Sequence, residues 1–128
     1  MRIAVDTNIL VRIVTADNMD LAARAKKLIE RYGSKEVFVA YGAILEAYYV
    51  FKKFYDYTEK EAVSAVYDML RIEQLSFEHE IAIRLALSKC AQGFAFPDAL
   101  FGEIAGLKNL KTYTFDKGLK NNKNFELV

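Results

Sequence analysis

Several residue types are scarce in this chain of 128 residues, and each shortage excludes a class of protein. Cys90 is the only cysteine, so no internal disulfide can form, which fits a reducing cytoplasm. His79 is the only histidine, so no cysteine or histidine pair is present to favour a zinc site. No apolar run approaches the roughly 20 residues of a membrane span, and the first residues lack a signal-peptide pattern. We therefore expect a cytoplasmic protein with no membrane association.

Charge and composition favour one globular domain over residues 1–128. Hydrophobic residues make up 53% of the chain, and no repeat, low-complexity segment or linker interrupts it. A net charge of +1 does not indicate a protein that coats nucleic acid. Five lysines nevertheless lie from residue 108 onward, against Asp116 and Glu126. They are either a solvated surface or, beside an acidic metal site, a guide for a phosphate backbone.

Hydrophobic periodicity predicts strands and helices in alternation. Strands are expected over residues 2–6, 36–40, 72–76, 111–115 and 125–128. Helices are expected over residues 8–14, 21–32, 42–55 and 78–92, after a capping box at Thr58 and Glu61, and from Pro97 onward. Strands separated by helices of this length imply a parallel sheet covered on both faces. The predicted fold class is therefore α/β.

Four carboxylates stand where apolar sequence ends or is interrupted. Asp6 and Asp116 each end a predicted strand, which would place both at the sheet edge where open α/β folds build their sites. Glu46 is the only charge in the apolar segment 43–51, and Asp98 follows the only proline. A buried, unpaired carboxylate is costly, so acids in such surroundings are expected to bind a cation or hydrogen-bond donors.

Each acid also has a structural explanation when it is taken alone. Asp6 could cap the helix that follows it, and Asp98 is a favourable acid in a first helical turn. Asp116 could be an ordinary turn residue, whereas Glu46 has no local partner in the sequence. Agreement among the four favours one shared site. Four clustered carboxylates would require a hard cation, and oxygen ligands suit Mg²⁺ or Mn²⁺.

Other residues bear on the site or on its surroundings. Thr7 and Asn8 could orient a metal-bound carboxylate or hold a water, although helix capping is the alternative for both. Gly102 and Gly106 share one helix face, where close packing is preferred over a role in leaving room for a metal. A group of aromatics exceeds what one helix face can bury and indicates core or a dimer interface: Tyr48, Tyr49, Phe51, Phe54, Tyr55 and Tyr57.

These motifs resemble those of a PIN domain, most closely a VapC-type toxin of a toxin–antitoxin pair. Val5–Leu10 resembles the opening motif of the family, and Ala43–Val50 resembles its glutamate-bearing helix. Phe96–Leu100 resembles the third motif and Thr114–Asp116 the fourth. The resemblance implies a three-layer sandwich with a central, mostly parallel sheet flanked by helices. It also implies a Mg²⁺- or Mn²⁺-dependent ribonuclease that forms a homodimer and is inhibited by a small DNA-binding antitoxin.

The implied reaction is attack of water on an RNA phosphodiester. Asp6, Glu46 and Asp98 are the expected metal ligands, and Asp116 would bind a second ion or a water of the first. All four are therefore expected to be catalytic, and the number of ions stays open between one and two. No side-chain nucleophile is required.

Several other functions compete with this interpretation. The fold could serve as an RNA- or protein-binding module without catalysis, or as an RNA-processing nuclease that is not a toxin. A phosphoaspartyl phosphatase is disfavoured because Asn8 stands where its second acid would be. A receiver-type signalling domain is disfavoured because Glu46 falls inside a helix and not at a strand end.

Overall fold

A computed structural model describes residues 2–15 and 17–128, and within them the chain divides into two compact units, residues 1–78 and 79–128. The first unit contains, in order, β1 (Ile3–Ala4), α1 (Thr7–Thr15), α2 (Met19–Glu30), β2 (Val37–Val39), α3 (Tyr41–Lys53), α4 (Glu59–Leu70) and β3 (Leu75–Phe77). The second contains α5 (Glu80–Cys90), α6 (Phe96–Gly106), β4 (Thr112–Thr114), a 3₁₀ turn (Lys117–Leu119) and β5 (Phe125–Leu127).

Local sequence signals explain where several helices begin and end. Thr58 and Glu61 form the predicted capping box, in which each side chain bonds the other residue's backbone N–H. Asn18 caps α2 by accepting from the N–H of Leu21. Pro97 lies in the first turn of α6, where its missing N–H costs nothing. Gly93, with φ of 98°, follows the end of α5 in a conformation that glycine adopts without strain.

The parallel pairing expected from the strand–helix alternation is confirmed in both units. In the first unit β1 pairs with β2 and β2 with β3, with Ile3 opposite Val37 and Val37 opposite Leu75. In the second unit β4 pairs with β5. The predicted α/β class with parallel strands is therefore confirmed, with a three-stranded sheet in the first unit and a two-stranded sheet in the second.

Most predicted elements lie close to their observed positions. The third strand spans Leu75–Phe77, so its predicted position at residues 72–76 is too early. The fifth helix begins at Glu80, two residues later than predicted, because His79 adopts a left-handed conformation with φ of 58°. Among the described residues no helix is long and apolar enough to cross a membrane.

Each unit buries its own apolar side chains. In the first, Leu10, Ile44, Phe51 and Val66 are fully buried where helices pack together and against the sheet. In the second, Ile83, Leu87, Phe96 and Leu100 are buried where α5 packs on α6. Complete burial of a side chain of this size stabilises the fold by about 1.5–3 kcal/mol. Packing in these cores therefore fixes the positions of the helices that carry the polar residues described below.

Candidate active site

Asp6 lies in the short connection between β1 and α1. Its Oδ1 accepts a hydrogen bond from the N–H of Ile9 at 3.2 Å, and its backbone carbonyl accepts one from Leu10 at 3.3 Å. Asp6 therefore does cap α1, as the structural interpretation of this residue predicted. The bond fixes one carboxylate oxygen and leaves the exposed side chain with a second oxygen that can accept another ligand.

Glu46 is held by a residue adjacent to Asp6. Helix α1 packs on α3, and Thr7 Oγ1 lies 3.3 Å from Glu46 Oε1 and 3.4 Å from the carbonyl oxygen of Ala43. A hydroxyl has one proton, so Thr7 donates to only one of the two acceptors at a time. Thr7 thus contacts the carboxylate of Glu46. The side chain that caps α1 is that of Asp6 and not that of Thr7. Asn8 is exposed on the first turn of α1.

The second unit holds the other two acids. Asp98 lies half-buried in the first turn of α6, directly after Pro97. Burial and, to a smaller extent, the negative charge of Asp116 raise the pKa of the Asp98 carboxyl above its ordinary value. Asp116 follows β4, and its Oδ1 accepts from the N–H of Gly118 at 2.8 Å. This is the turn hydrogen bond expected if Asp116 has only a structural role. Its negative charge nevertheless contributes to the raised pKa of Asp98.

Three of the four acids are exposed, so the burial that their apolar neighbours predicted is wrong for those three. Asp6, Glu46 and Asp116 are exposed, and only Asp98 is half-buried. Glu46 lies on the exposed stripe of α3 with Gly42, Tyr49 and Lys53, at helical spacing. Exposed carboxylates are solvated by water, so the fold does not require a cation to neutralise Asp6, Glu46 or Asp116.

Each unit supplies two of the four acids. Within either unit, the described residues include no group of three or more His, Cys, Asp or Glu side chains placed to hold a metal ion. A site shared by all four acids therefore stays a prediction. The donor chemistry fits Mg²⁺ or Mn²⁺, because the available atoms are carboxylate oxygens and the repulsion that Asp98 feels from Asp116 is relieved by a cation.

A sequence model of one family, described as PIN domain, matches residues 3–124. The chain belongs to the PIN domain family. It is also similar to a toxin–antitoxin complex from Klebsiella pneumoniae, with 15% identity, a TM-score of 0.37 and coverage of 98% of this chain and 96% of that one. It is similar to VapC20 of Mycobacterium tuberculosis, a sarcin–ricin loop cleaving toxin, with 15% identity, a TM-score of 0.43 and coverage of 92% and 91%. No curated protein matches the sequence.

This PIN domain also has a groove that the sequence did not indicate. It lies between α1 and α2 and has a volume of about 430 Å³. Arg12 and Arg24 line the groove. Each also forms an ion pair: Arg12 Nη1 lies 3.1 Å from Asp17 Oδ1, and Arg24 Nη1 lies 3.8 Å from Asp20 Oδ2. The other lining residues are Asn8, Ile9, Leu21, Ala25 and Leu28. Helical spacing on α2 could have suggested the apolar part, but not that a groove stays open above it.

The glycines of α6 settle a further question about this PIN domain. A Cβ on Gly102 would lie 2.5 Å from Phe125 Cε2, and one on Gly106 would lie 2.5 Å from Asn124 Oδ1. Both glycines therefore permit close packing of α6 on β5 and on the residue before it, as preferred from the sequence. Room near a metal is not needed to explain them.

Proposed function

We propose that this PIN domain is a divalent-metal-dependent ribonuclease whose ligand oxygens come from Asp6, Glu46, Asp98 and Asp116. The observation that carries the proposal is family membership in a chain that retains an acid in each of the four motifs. Mg²⁺ or Mn²⁺ is the proposed ion, because the donors are hard oxygens. A bound divalent cation supplies positive charge at the phosphate oxygens and makes a water more acidic for attack on phosphorus.

The residues of the chain prepare the carboxylates for this role. Thr7 directs one oxygen of Glu46, and the N–H of Ile9 fixes one oxygen of Asp6. The N–H of Gly118 does the same for Asp116. Carboxylates held in one orientation lose less conformational freedom when they bind a ligand, which favours binding. These contacts support the assignment of Asp6, Glu46 and Asp116 as ligands.

Cleavage of RNA in the presence of Mg²⁺ tests the proposal. We expect cleavage to be lost in EDTA and in the Asp6→Asn and Asp98→Asn variants, each of which removes a charge and little volume. Asp56→Asn is the matched control, because Asp56 is exposed and its φ of 55° is one that asparagine also tolerates. Full activity in EDTA or in Asp6→Asn would overturn the proposal. RNA binding without cleavage in Mg²⁺ would favour a non-catalytic binding module.

We also propose that the protein is the cytoplasmic toxin of a toxin–antitoxin pair, as the motif resemblance implies. The groove between α1 and α2 supports a protein partner, since its apolar floor and the two arginines suit a segment with apolar and acidic side chains. Co-expression with a short reading frame adjacent to the gene should restore growth of cells producing the toxin. Arg24→Glu should abolish this rescue, and Lys60→Glu at an exposed position of α4 should not. Rescue by both variants would refute the groove assignment, and absence of any rescuing neighbour would favour an RNA-processing nuclease.

We propose a homodimer with a smaller aromatic contribution than the sequence indicated. Tyr48 and Phe51 are buried, and the Phe51 ring stacks on Tyr57 with centroids 5.4 Å apart, so these aromatics support the core. Tyr49 and Phe54 remain, with 49% and 80% exposure. Phe54→Ser should weaken the dimer in light scattering. A wild-type monomer at high micromolar concentration would contradict the proposal.

A further inference from the structure

The two-stranded sheet has one face packed on α6 and one face open to solvent. Thr112 is opposite Phe125 in the parallel register, and the Phe125 ring lies against Gly102 of α6. Successive side chains of a strand point to opposite faces, so Tyr113 and its register partner Glu126 point away from α6. Tyr113 is 66% exposed, in agreement with that direction.

A second exposed aromatic side chain follows directly after the sheet. The N–H of Val128 donates to the carbonyl of Thr114 at 2.9 Å, which is the ladder bond of the Thr114–Leu127 pair at the end of the sheet. Phe115, two residues after Tyr113, is 83% exposed. Two exposed aromatic rings two residues apart are unusual for a surface with no ligand, because large aromatics bury most of their area in a core or an interface. We call Tyr113 and Phe115 the aromatic platform.

Positive charge surrounds the platform. Lys111 precedes it and Lys117 follows it along the chain, and both are exposed, as are Lys120 and Lys123. The Lys111 ammonium donates to the carbonyl of Lys123, which keeps its charge beside β4. For Lys117, Lys120 and Lys123 the described residues offer no ion-pair partner. Asp116 and Glu126 are the acids nearby in sequence, so the segment favours an anionic ligand.

We propose that the aromatic platform stacks unpaired bases of single-stranded RNA while the flanking lysines neutralise the backbone phosphates. The proposal rests on the ribonuclease function and adds base-contacting residues to it: Phe115 directly precedes Asp116, so a base stacked on Phe115 would lie beside the acid that we assign to the site. Rings flanked by lysines at both ends of a strand match an extended nucleic-acid chain. An acidic helix would instead need a groove for its side chains, and the outer face of this sheet is open.

Binding measured without cleavage tests the platform separately from catalysis. The readout is fluorescence anisotropy of a labelled, short single-stranded oligoribonucleotide, titrated with the full chain in EDTA. Phe115→Ala and Tyr113→Ala should each weaken binding by about 5-fold to 150-fold, the range for loss of one stacked base. Tyr113→Phe should retain binding. Met19→Ala is the control, because Met19 is an apolar side chain that is 78% exposed and lies outside the second unit.

Two further probes identify which part of the RNA is bound. An abasic oligonucleotide of equal length should bind wild type and Phe115→Ala alike, since only bases stack. Lys117→Gln should lower the salt dependence of binding by about 0.7 in the logarithmic slope, the value for one phosphate contact on a single strand.

Unchanged RNA affinity in Phe115→Ala would overturn the platform. Equal weakening toward the abasic oligonucleotide would also overturn it, because the ring would then act on something other than a base. If Phe115→Ala dissociated a dimer while RNA binding stayed intact, the face would be a protein interface. If the wild-type protein did not cleave RNA in Mg²⁺ but still bound it through the platform in EDTA, the ribonuclease function would be refuted and the platform would stand.

Discussion

Replacing Gly102 with alanine should destabilise the second unit, although alanine is the better helix former. Helix α6 approaches β5 so closely that the new Cβ would lie 2.5 Å from Phe125 Cε2 and 3.0 Å from Cζ. It would also lie 3.2 Å from Asn124 Cβ. Phe125 is 7% exposed, so its ring cannot swing into solvent without losing its burial. Either the helix or the strand must therefore move.

The size of the effect follows from two opposing contributions. Alanine gains about 1 kcal/mol over glycine in a helix interior. Forcing an extra carbon into a packed layer costs about 1–3 kcal/mol. The 2.5 Å approach is to a buried ring, so we expect the upper half of that range and a net loss of about 1–2 kcal/mol of unfolding free energy. For a chain of this size, that loss lowers Tm by roughly 3–8 °C.

Gly42 provides the matched control, because a Cβ built there meets no atom within 4 Å. Gly42→Ala should stabilise the protein by up to about 1 kcal/mol. Thermal and urea unfolding followed by circular dichroism would compare both variants with wild type. A second test replaces Phe125 with leucine. This change should lower the free energy of unfolding less in the Gly102→Ala background than in wild type, because the two side chains occupy the same space. A Gly102→Ala protein as stable as Gly42→Ala would refute the packing argument.

Three further predictions concern the acids and their partners. Thr7→Val removes the hydroxyl that lies 3.3 Å from Glu46 Oε1. Loss of a hydrogen bond of about 1 kcal/mol should lower kcat/KM about fivefold, whereas Thr7→Ser should stay near wild type. Equal kcat/KM values for the valine and serine variants would contradict this role of Thr7. The pKa of Asp98 is raised, so its contribution to stability is complete below the ordinary value of 3.8 and is lost as pH rises through the folded pKa. Asp98→Asn should therefore raise Tm in EDTA at neutral pH and lose this advantage in acid, and a gain independent of pH would count against the raised pKa. Mg²⁺ should raise the Tm of wild type more than that of Asp98→Asn, and equal shifts would argue against Asp98 as a ligand.

Local chemistry explains why much of the fold could be predicted from the sequence. The capping box at Thr58 needs only residues three positions apart, and Pro97 restricts its own φ, so both helix starts are correct to within one residue. Pairing of strands depends on partners far along the chain. Nothing local to Thr112 shows which strand it bonds, so the pairing of β4 with β5 could not be derived from the sequence.

The candidate site was predicted less completely for a related reason. Apolar neighbours of Glu46 suggested burial, but Gly42 and Tyr49 share its helix stripe and are exposed with it. Exposure is decided by what covers a stripe, and sequence spacing does not contain that information. Thr7 and Glu46 lie on two different helices and are 39 positions apart in the sequence, so only the fold could reveal the contact between them.

The order of the acids along the chain has a consequence for synthesis. Residues 1–78 carry Asp6 and Glu46, while Asp98 and Asp116 belong to the unit that is translated after them. Compact units of a nascent chain fold in N-terminal order, at about 5–20 residues added per second. If all four carboxylates are required, the growing polypeptide stays inert toward the ribosome and messenger that produce it until Asp116 has emerged. A nuclease arranged in this way becomes active only after both units have been translated.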